Sequence, residues 1–150
     1  MDKKIFKKIG VASDHAGYEM KGSVIRYLTS QGYEVTDFGC HSAGSCDYPD
    51  FAHPLAQAVS SGGCDCGISL CGSGNGINMV VNKYPLIRSA LCWNTEIARL
   101  ARQHNDANIL ALPARFLTPS EAEAIIGEFL GHGFDGGRHT ARINKIPIGS

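Results

Sequence analysis

The chain has 150 residues, 43% hydrophobic and 19% charged, and its 14 Lys and Arg balance its 14 Asp and Glu. That length fits one domain, 1–150, able to bury a proper core without metal or disulfide staples. A formal net charge of zero argues against a nucleic-acid partner, which a basic excess would serve. No apolar run approaches the ~20 residues of a membrane span, so no membrane partner is expected. The opening Met1-Asp-Lys-Lys-Ile-Phe-Lys-Lys8 has no apolar stretch of the kind a secretory leader needs. A cytoplasmic location is therefore expected, with free thiols at the six cysteines 40, 46, 64, 66, 71 and 92.

Strand and helix signals alternate along the chain. Ile9 to Ala12 is a short apolar strand closed by Ser13-Asp-His-Ala-Gly17, and Met20, Val24, Tyr27 and Leu28 then recur at helical spacing up to Gly32. Tyr33 to Phe38 reads as a second strand, followed by a loop from Gly39 to Asp50 that holds Cys46-Asp-Tyr-Pro49. Phe51 to Ser60 is helical and ends at Gly62-Gly63. A third strand leads to Cys71, with a helix from Ile77 to Lys83 beyond it. Arg88 to Trp93 and Asn108 to Leu112 are the fourth and fifth strands, separated by a helix over Thr95 to Gln103. Thr118-Pro-Ser-Glu121 is a capping box with proline at the first helical position, opening a helix with Ala122, Ile125, Ile126, Phe129 and Leu130 on one face. Gly131, Gly133 and Gly136-Gly137 then precede a basic tail.

Five such β/α units imply an α/β fold, a three-layer α/β/α sandwich around a five-stranded parallel, Rossmann-like sheet. Ligands on these sheets bind beyond the carboxyl ends of the strands. Asp14 and His15, Tyr48, Cys71 to Gly76, and Asn94 all follow strands or lie in loops beyond them, so they can converge on one rim despite their separation in sequence.

The most informative stretch is Cys71-Gly-Ser-Gly-Asn-Gly76, a strand end followed by glycine at every second position. Alternating glycines let several backbone N–H groups point into one concavity, and the next helix adds its own free amides. A cysteine at the lip of such an anion cradle can become a nucleophile or base. A dinucleotide fingerprint would need an acidic residue about twenty positions on, where the chain has Leu91-Cys-Trp-Asn94. The Lys-Ser/Thr ending of a P-loop is also missing. Cys64-Asp-Cys66 with Cys71 matches no common zinc spacing.

The remaining candidates each have an ordinary alternative. Asp14 either caps the following helix or reaches a sugar hydroxyl. His104 suits a helix C-terminus, and Asn105 and Asp106 suit a turn. Arg138 and Arg142, if helical, share a face and fit the oxygens of a phosphate; otherwise they belong to a solvated tail, and Arg115 is a further loop cation.

Together these motifs resemble the type B ribose-5-phosphate isomerases, a family that also includes allose- and galactose-6-phosphate isomerases. The resemblance spans nearly the whole chain through Ser13-Asp-His-Ala-Gly17, Asp47-Tyr-Pro49, Cys71-Gly-Ser-Gly-Asn-Gly76, Asn82-Lys83, Arg102-Gln-His-Asn-Asp106 and Gly136-Gly-Arg-His139. It implies a metal-independent aldose–ketose isomerase of the pentose phosphate pathway, needing no cofactor. D-ribose 5-phosphate and D-ribulose 5-phosphate would interconvert through an enediolate. In that likeness Cys71 matches the base that moves a proton between C2 and C1, since the position where another branch carries glutamate is Ile77 here. Ser73 matches the loop hydroxyl, and the amides of Gly72, Ser73, Gly74, Asn75 and Gly76 match the oxyanion site. His104 matches the ring-opening histidine, with Asp14 assisting and Asn105 positioning the sugar; His15, Arg115, Arg138 and Arg142 match the phosphate side. The resemblance also implies a homodimer or dimer of dimers whose site takes the histidine from one subunit and the cysteine from the other. A six-carbon sugar phosphate, or a sugar-phosphate or nucleotide-binding module without catalysis, stays open. The segment Gly39 to Cys46, Cys64 with Cys66, and the terminal Gly149-Ser150 receive no role.

Overall fold

The computed structural model describes residues 3–150. Its strands are β1 (Lys8–Ser13), β2 (Glu34–Asp37), β3 (Cys66–Cys71), β4 (Ser89–Leu91) and β5 (Ile109–Pro113), all parallel, in the spatial order β2-β1-β3-β5-β4. The helices are α1 (Tyr18–Ser30), α2 (Pro49–Ser61), α3 (Asn75–Val81), α4 (Thr95–Asn105), α5 (Pro119–Gly131) and α6 (Arg138–Ile143). The α/β/α sandwich expected from the sequence is the one that forms.

Successive side chains of a strand point to opposite faces. On one face Ile9, Val11, Ile68, Leu70, Leu110 and Leu112 meet α1, α4 and α5 through Val24, Leu28, Ala98, Ile125, Ile126 and Phe129. On the other, Ala12, Cys71 and Ile109 meet α2 and α3 through Leu55, Val59, Ile77 and Val81. The helices α1 and α4 carry the chain toward the β2 edge and lie on one face; α2 and α3 carry it the opposite way and lie on the other. A single crossover hand requires this division.

The α2 face of the sheet is built from small residues. Gly10 and Gly67 are register partners, and a Cβ on either would fall 2.7 Å and 2.9 Å, respectively, from Leu55 Cδ1. Leu55 therefore sinks into the sheet where two neighbouring strands lack side chains. At the amino edge, Asp65 accepts the amides of Lys7 and Lys8 at 2.8 and 2.9 Å, tying the start of β1 to the approach to β3.

Local signals set most helix ends. Thr118 and Glu121 close their capping box reciprocally at 3.1 and 3.0 Å, and Gly62 ends α2 with φ +85°. Several boundaries differ from the sequence reading. The helix α3 starts two residues before Ile77, because Gly74 at φ +78° already turns the chain into it. At the sheet edge, β4 contracts to Ser89–Leu91. The basic tail folds as α6, which has no buried residue to announce it.

Leu55→Ala should lower unfolding stability by about 2–5 kcal/mol, and Gly10→Val by about 1–3 kcal/mol through overpacking; urea midpoints read both. The Lys8 amide, then that of Lys7, holds the Asp65 carboxyl below its ordinary range. Because the folded value is the lower one, the stabilisation is present above the unfolded carboxylate pKa and is lost as pH falls through the folded one. Asp65→Asn should thus be less stable than the parent at about pH 7, with the gap closing toward about pH 3.

Candidate active site

Strand β3 lies between β1 and β5. The chain leaves β1 and β5 toward the α1/α5 face, whereas it leaves β3 for α3 on the other face. Such a divergence opens a crevice at the carboxyl ends of the strands, and Cys71 stands at its centre. On one side the Asp14 amide donates to the Leu70 carbonyl at 3.3 Å, and the Asp14 carboxylate, only 7% exposed, accepts the Gly17 amide at 3.2 Å. Asp14 is thus a cap that also lies beside the cysteine. On the other side the Arg115 amide donates to the Gly72 carbonyl at 3.0 Å, and its guanidinium covers Gly72, where a Cβ would sit 3.0 Å from Nη1.

The loop above Cys71 owes its shape to absent side chains. A Cβ on Gly76 would fall 2.5 Å from Tyr48 Cζ, so the Tyr48 ring rests directly on the backbone there. Ser73 and Asn75 are exposed, and Ser73 Oγ accepts the Asn75 amide at 3.3 Å. Among the described residues the amides of Gly72, Ser73, Gly74 and Gly76 have no acceptor, leaving free donors along the loop. His15 Nδ1 lies 3.3 Å from both the backbone N and the carbonyl O of Cys46. Asp14, His15, Tyr48, Cys71, Gly72, Ser73, Gly74, Asn75 and Gly76 therefore gather at one rim, as the sequence led us to expect, and Arg115 joins them from beyond β5. Asn94 follows β4 and caps α4, accepting the Ile97 amide at 2.9 Å.

Cys71 itself is 5% exposed, packed near Ala12 and Ile77 under the glycine loop rather than standing at its lip. Its neighbour in sequence, Cys66, faces the opposite core, while Cys64 lies on the Cys71 side. Alternation along β3 puts Cys66 and Cys71 on opposite faces, Cys64 lies just before the strand's start, at the end remote from Cys71, and among the described residues no group of three or more metal-ligating side chains occurs. Burial pushes the Cys66 thiol far up and the Cys92 thiol up to about 12, which makes both inert.

The other candidates lie elsewhere. Helix α4 begins at the carboxyl edge, beyond β4, and runs back for 11 residues, roughly 16 Å at 1.5 Å per residue. His104 and Asn105 consequently sit at the amino edge of the sheet, opposite Cys71. They are joined by α6: the His139 and His104 rings stack with centroids 4.3 Å apart and planes 14° from parallel, and the Asp135 amide donates to the Gln103 carbonyl at 3.0 Å. Arg138 and Arg142, one turn apart on α6 and exposed, belong to this second cluster. Desolvation, then the charges of His104, Arg138 and Arg142, hold the His139 imidazole below its ordinary range.

Two arginines without an assigned role brace that end. Arg102, 4% exposed, donates to Asp106 Oδ1 at 3.0 Å and to the His132 carbonyl at 3.1 Å. The Arg88 guanidinium reaches the Asn105 and Asp106 carbonyls, each at 2.9 Å. Together they fix the helix terminus at Asp106, whose φ of +46° is the left-handed value. The i,i+4 spacing of Arg102 and Asp106 was legible in the sequence; the contribution of Arg88, from another element, had no local signal.

A protein-family model described as Ribose/Galactose Isomerase matches residues 9–146. The ribose-5-phosphate isomerase B of Escherichia coli strain K12 is 40% identical over 140 residues, 93% of this chain and 94% of that protein. Among solved structures, the ribose-5-phosphate isomerase B of Clostridium thermocellum superposes with a TM-score of 0.92 at 50% identity, covering 93% of this chain and 94% of that one. The Mycoplasma genitalium ribose-5-phosphate isomerase B, solved with bound ribulose-5-phosphate, gives 0.89 at 41% identity, with 93% of each chain covered. With its fold, the crevice at Cys71 and these likenesses in hand, we assign the chain to the ribose/galactose isomerase family.

Proposed function

We propose that this protein interconverts D-ribose 5-phosphate and D-ribulose 5-phosphate through an enediolate, in a site completed by two copies of the chain. The observation that carries this reading is the position of Cys71, at the end of β3 between Asp14 and a loop of free amides. The names of the relatives, and the ribulose-5-phosphate bound to one of them, support the choice of substrate.

In the forward direction the Cys71 thiolate takes the proton from C2 of the open-chain aldose. The C–H electron pair forms the C1=C2 double bond, and the carbonyl electrons move onto O1. The amides of Ser73 and Gly74 are the donors for that oxyanion; one such donor is worth about 3–4 kcal/mol to the transition state. The proton on O2 passes to O1, the thiol returns its proton to C1, and C2 becomes the ketone. Ser73 Oγ lies beside this step, and Tyr48 borders the sugar.

Opening the furanose takes a proton from the anomeric hydroxyl and gives one to the ring oxygen. His104 is the proposed exchanger, with Asp14 assisting and Asn105 holding the sugar. Arg138 and Arg142 present two guanidinium groups to the phosphate, with His15 and Arg115 approaching from the Cys71 side. Because α4 keeps His104 a helix length from Cys71 within one chain, the two clusters meet only across an interface. Met79, Trp93 and Phe116, all exposed and apolar, supply surface for that association.

Cys71→Ala should lower kcat by about 10²–10⁴-fold while ribulose 5-phosphate still binds, measured by turnover and calorimetry; near-parental turnover would remove Cys71 from the mechanism. The shared site has its own test. Cys71→Ala and His104→Ala, each inactive alone, should regain about a quarter of parental activity when co-refolded, because half the dimers are hybrids with one intact site of two. A mixture as inactive as its parents would rule out a site assembled from both chains.

A further inference from the structure

The segment Gly39 to Cys46 has no part in the chemistry above, yet it is anchored to the residues that do. The Gly39 carbonyl accepts the Ser13 amide at 2.7 Å, and the Cys40 amide donates to the Ser13 carbonyl at 2.8 Å. Cys40 Sγ lies 3.8 Å from Ser13 Oγ and donates to the Ser42 carbonyl at 3.3 Å. At the far end of the segment, the Cys46 backbone holds His15 Nδ1 at 3.3 Å. The two cysteines are therefore fastened to residues 13 and 15, two apart at the end of β1. Burial, and then the Cys40 thiol, push the Cys46 thiol up. Cys40 is buried and Cys46 half-exposed, the arrangement of a resolving thiol beside an accessible one.

We propose that Cys40 and Cys46 form a reversible modification site, a disulfide that closes the segment between them and displaces His15 and Tyr48. The oxidant is a low-molecular-weight disulfide. The Cys46 thiolate attacks one of its sulfurs, forming a mixed disulfide and releasing one thiolate; the Cys40 thiolate then attacks Cys46 Sγ, forming the internal bond and releasing the second. The protein pair loses two electrons, the reagent gains them, and the two protons from the cysteines go to the released thiolates. Because Cys46 is held above the usual thiol range, the reaction should run faster as pH rises. Bond formation draws Cys40 Sγ away from Ser13 and pulls the Cys46 backbone against His15. Two residues on, Tyr48 shifts on Gly76.

The consequence for turnover rests on the proposed isomerase reading; the bond itself does not. Treatment with oxidised glutathione, followed by alkylation and peptide mapping, should recover a Cys40–Cys46 linkage in the parent. Its KM for ribose 5-phosphate should rise severalfold and return on adding dithiothreitol. Cys46→Ser, which lacks the attacking thiol but keeps the backbone that holds His15, should keep its own KM through the same treatment. Cys40 and Cys46 both remaining open to alkylation would overturn the site. An equal activity loss in parent and Cys46→Ser would assign inactivation to Cys71 and overturn the gating role, as would a linked parent with an unchanged KM. Should the reduced protein turn over no sugar phosphate at all, the mapping arm decides the disulfide by itself.

Discussion

Everything at the Cys71 rim depends on one topological constraint, that β3 lies between two strands whose chains leave in the other direction. Where β1 turns toward α1 and β5 toward α5, β3 turns away into α3, so the space beyond its last residue is bordered only by its own glycine loop and the ends of the two neighbouring strands. The ends of β1, β3 and β5 then frame a single opening with Asp14, Cys71 and Arg115 around it. The glycines of the following loop keep that opening narrow, because Tyr48 and Arg115 rest on backbone instead of on side chains.

The opposite edge is organised by charge. Arg88 and Arg102 converge on the backbone and carboxylate of Asp106, and Arg102 also lies 4.8 Å from the centroid of the Phe6 ring. A buried guanidinium is costly unless its donors are occupied; those of Arg102 are taken by the Asp106 carboxylate and the Ala107 and His132 carbonyls, while Arg88 takes the carbonyls left open at the end of α4. The arrangement stiffens the last turn of α4, and with it the plane of the His104 ring stacked on His139. In the proton-exchange role proposed for His104, a ring held this way would need little rearrangement when substrate arrives.

Much of this was readable from the chain. Buried strands at β1, β3 and β5, the turn after Cys71 and the Thr118–Glu121 box follow from local pattern and local hydrogen bonds, which a linear sequence carries directly. Strand order does not, since the placement of β5 between β3 and β4 arises from packing among distant segments. That order is what makes β3 the centre of the crevice. The distance between His104 and Cys71 became visible only once α4 was known to run back along the sheet. The side of the sheet each cysteine faces required the register of β3, and α6, with no buried face, left nothing in the hydrophobic pattern to detect.

The glycine pair at positions 10 and 67 has a reach beyond the core it occupies. Leu55, seated on those two backbones, lies on the same helix that Tyr48 begins, so the depth of that seat sets the height of the aromatic ring over Gly76. Two missing methyl groups in the middle of the sheet thereby act as a spacer for the pocket's ceiling, and evolution could retune the width of the opening from a place no substrate ever touches.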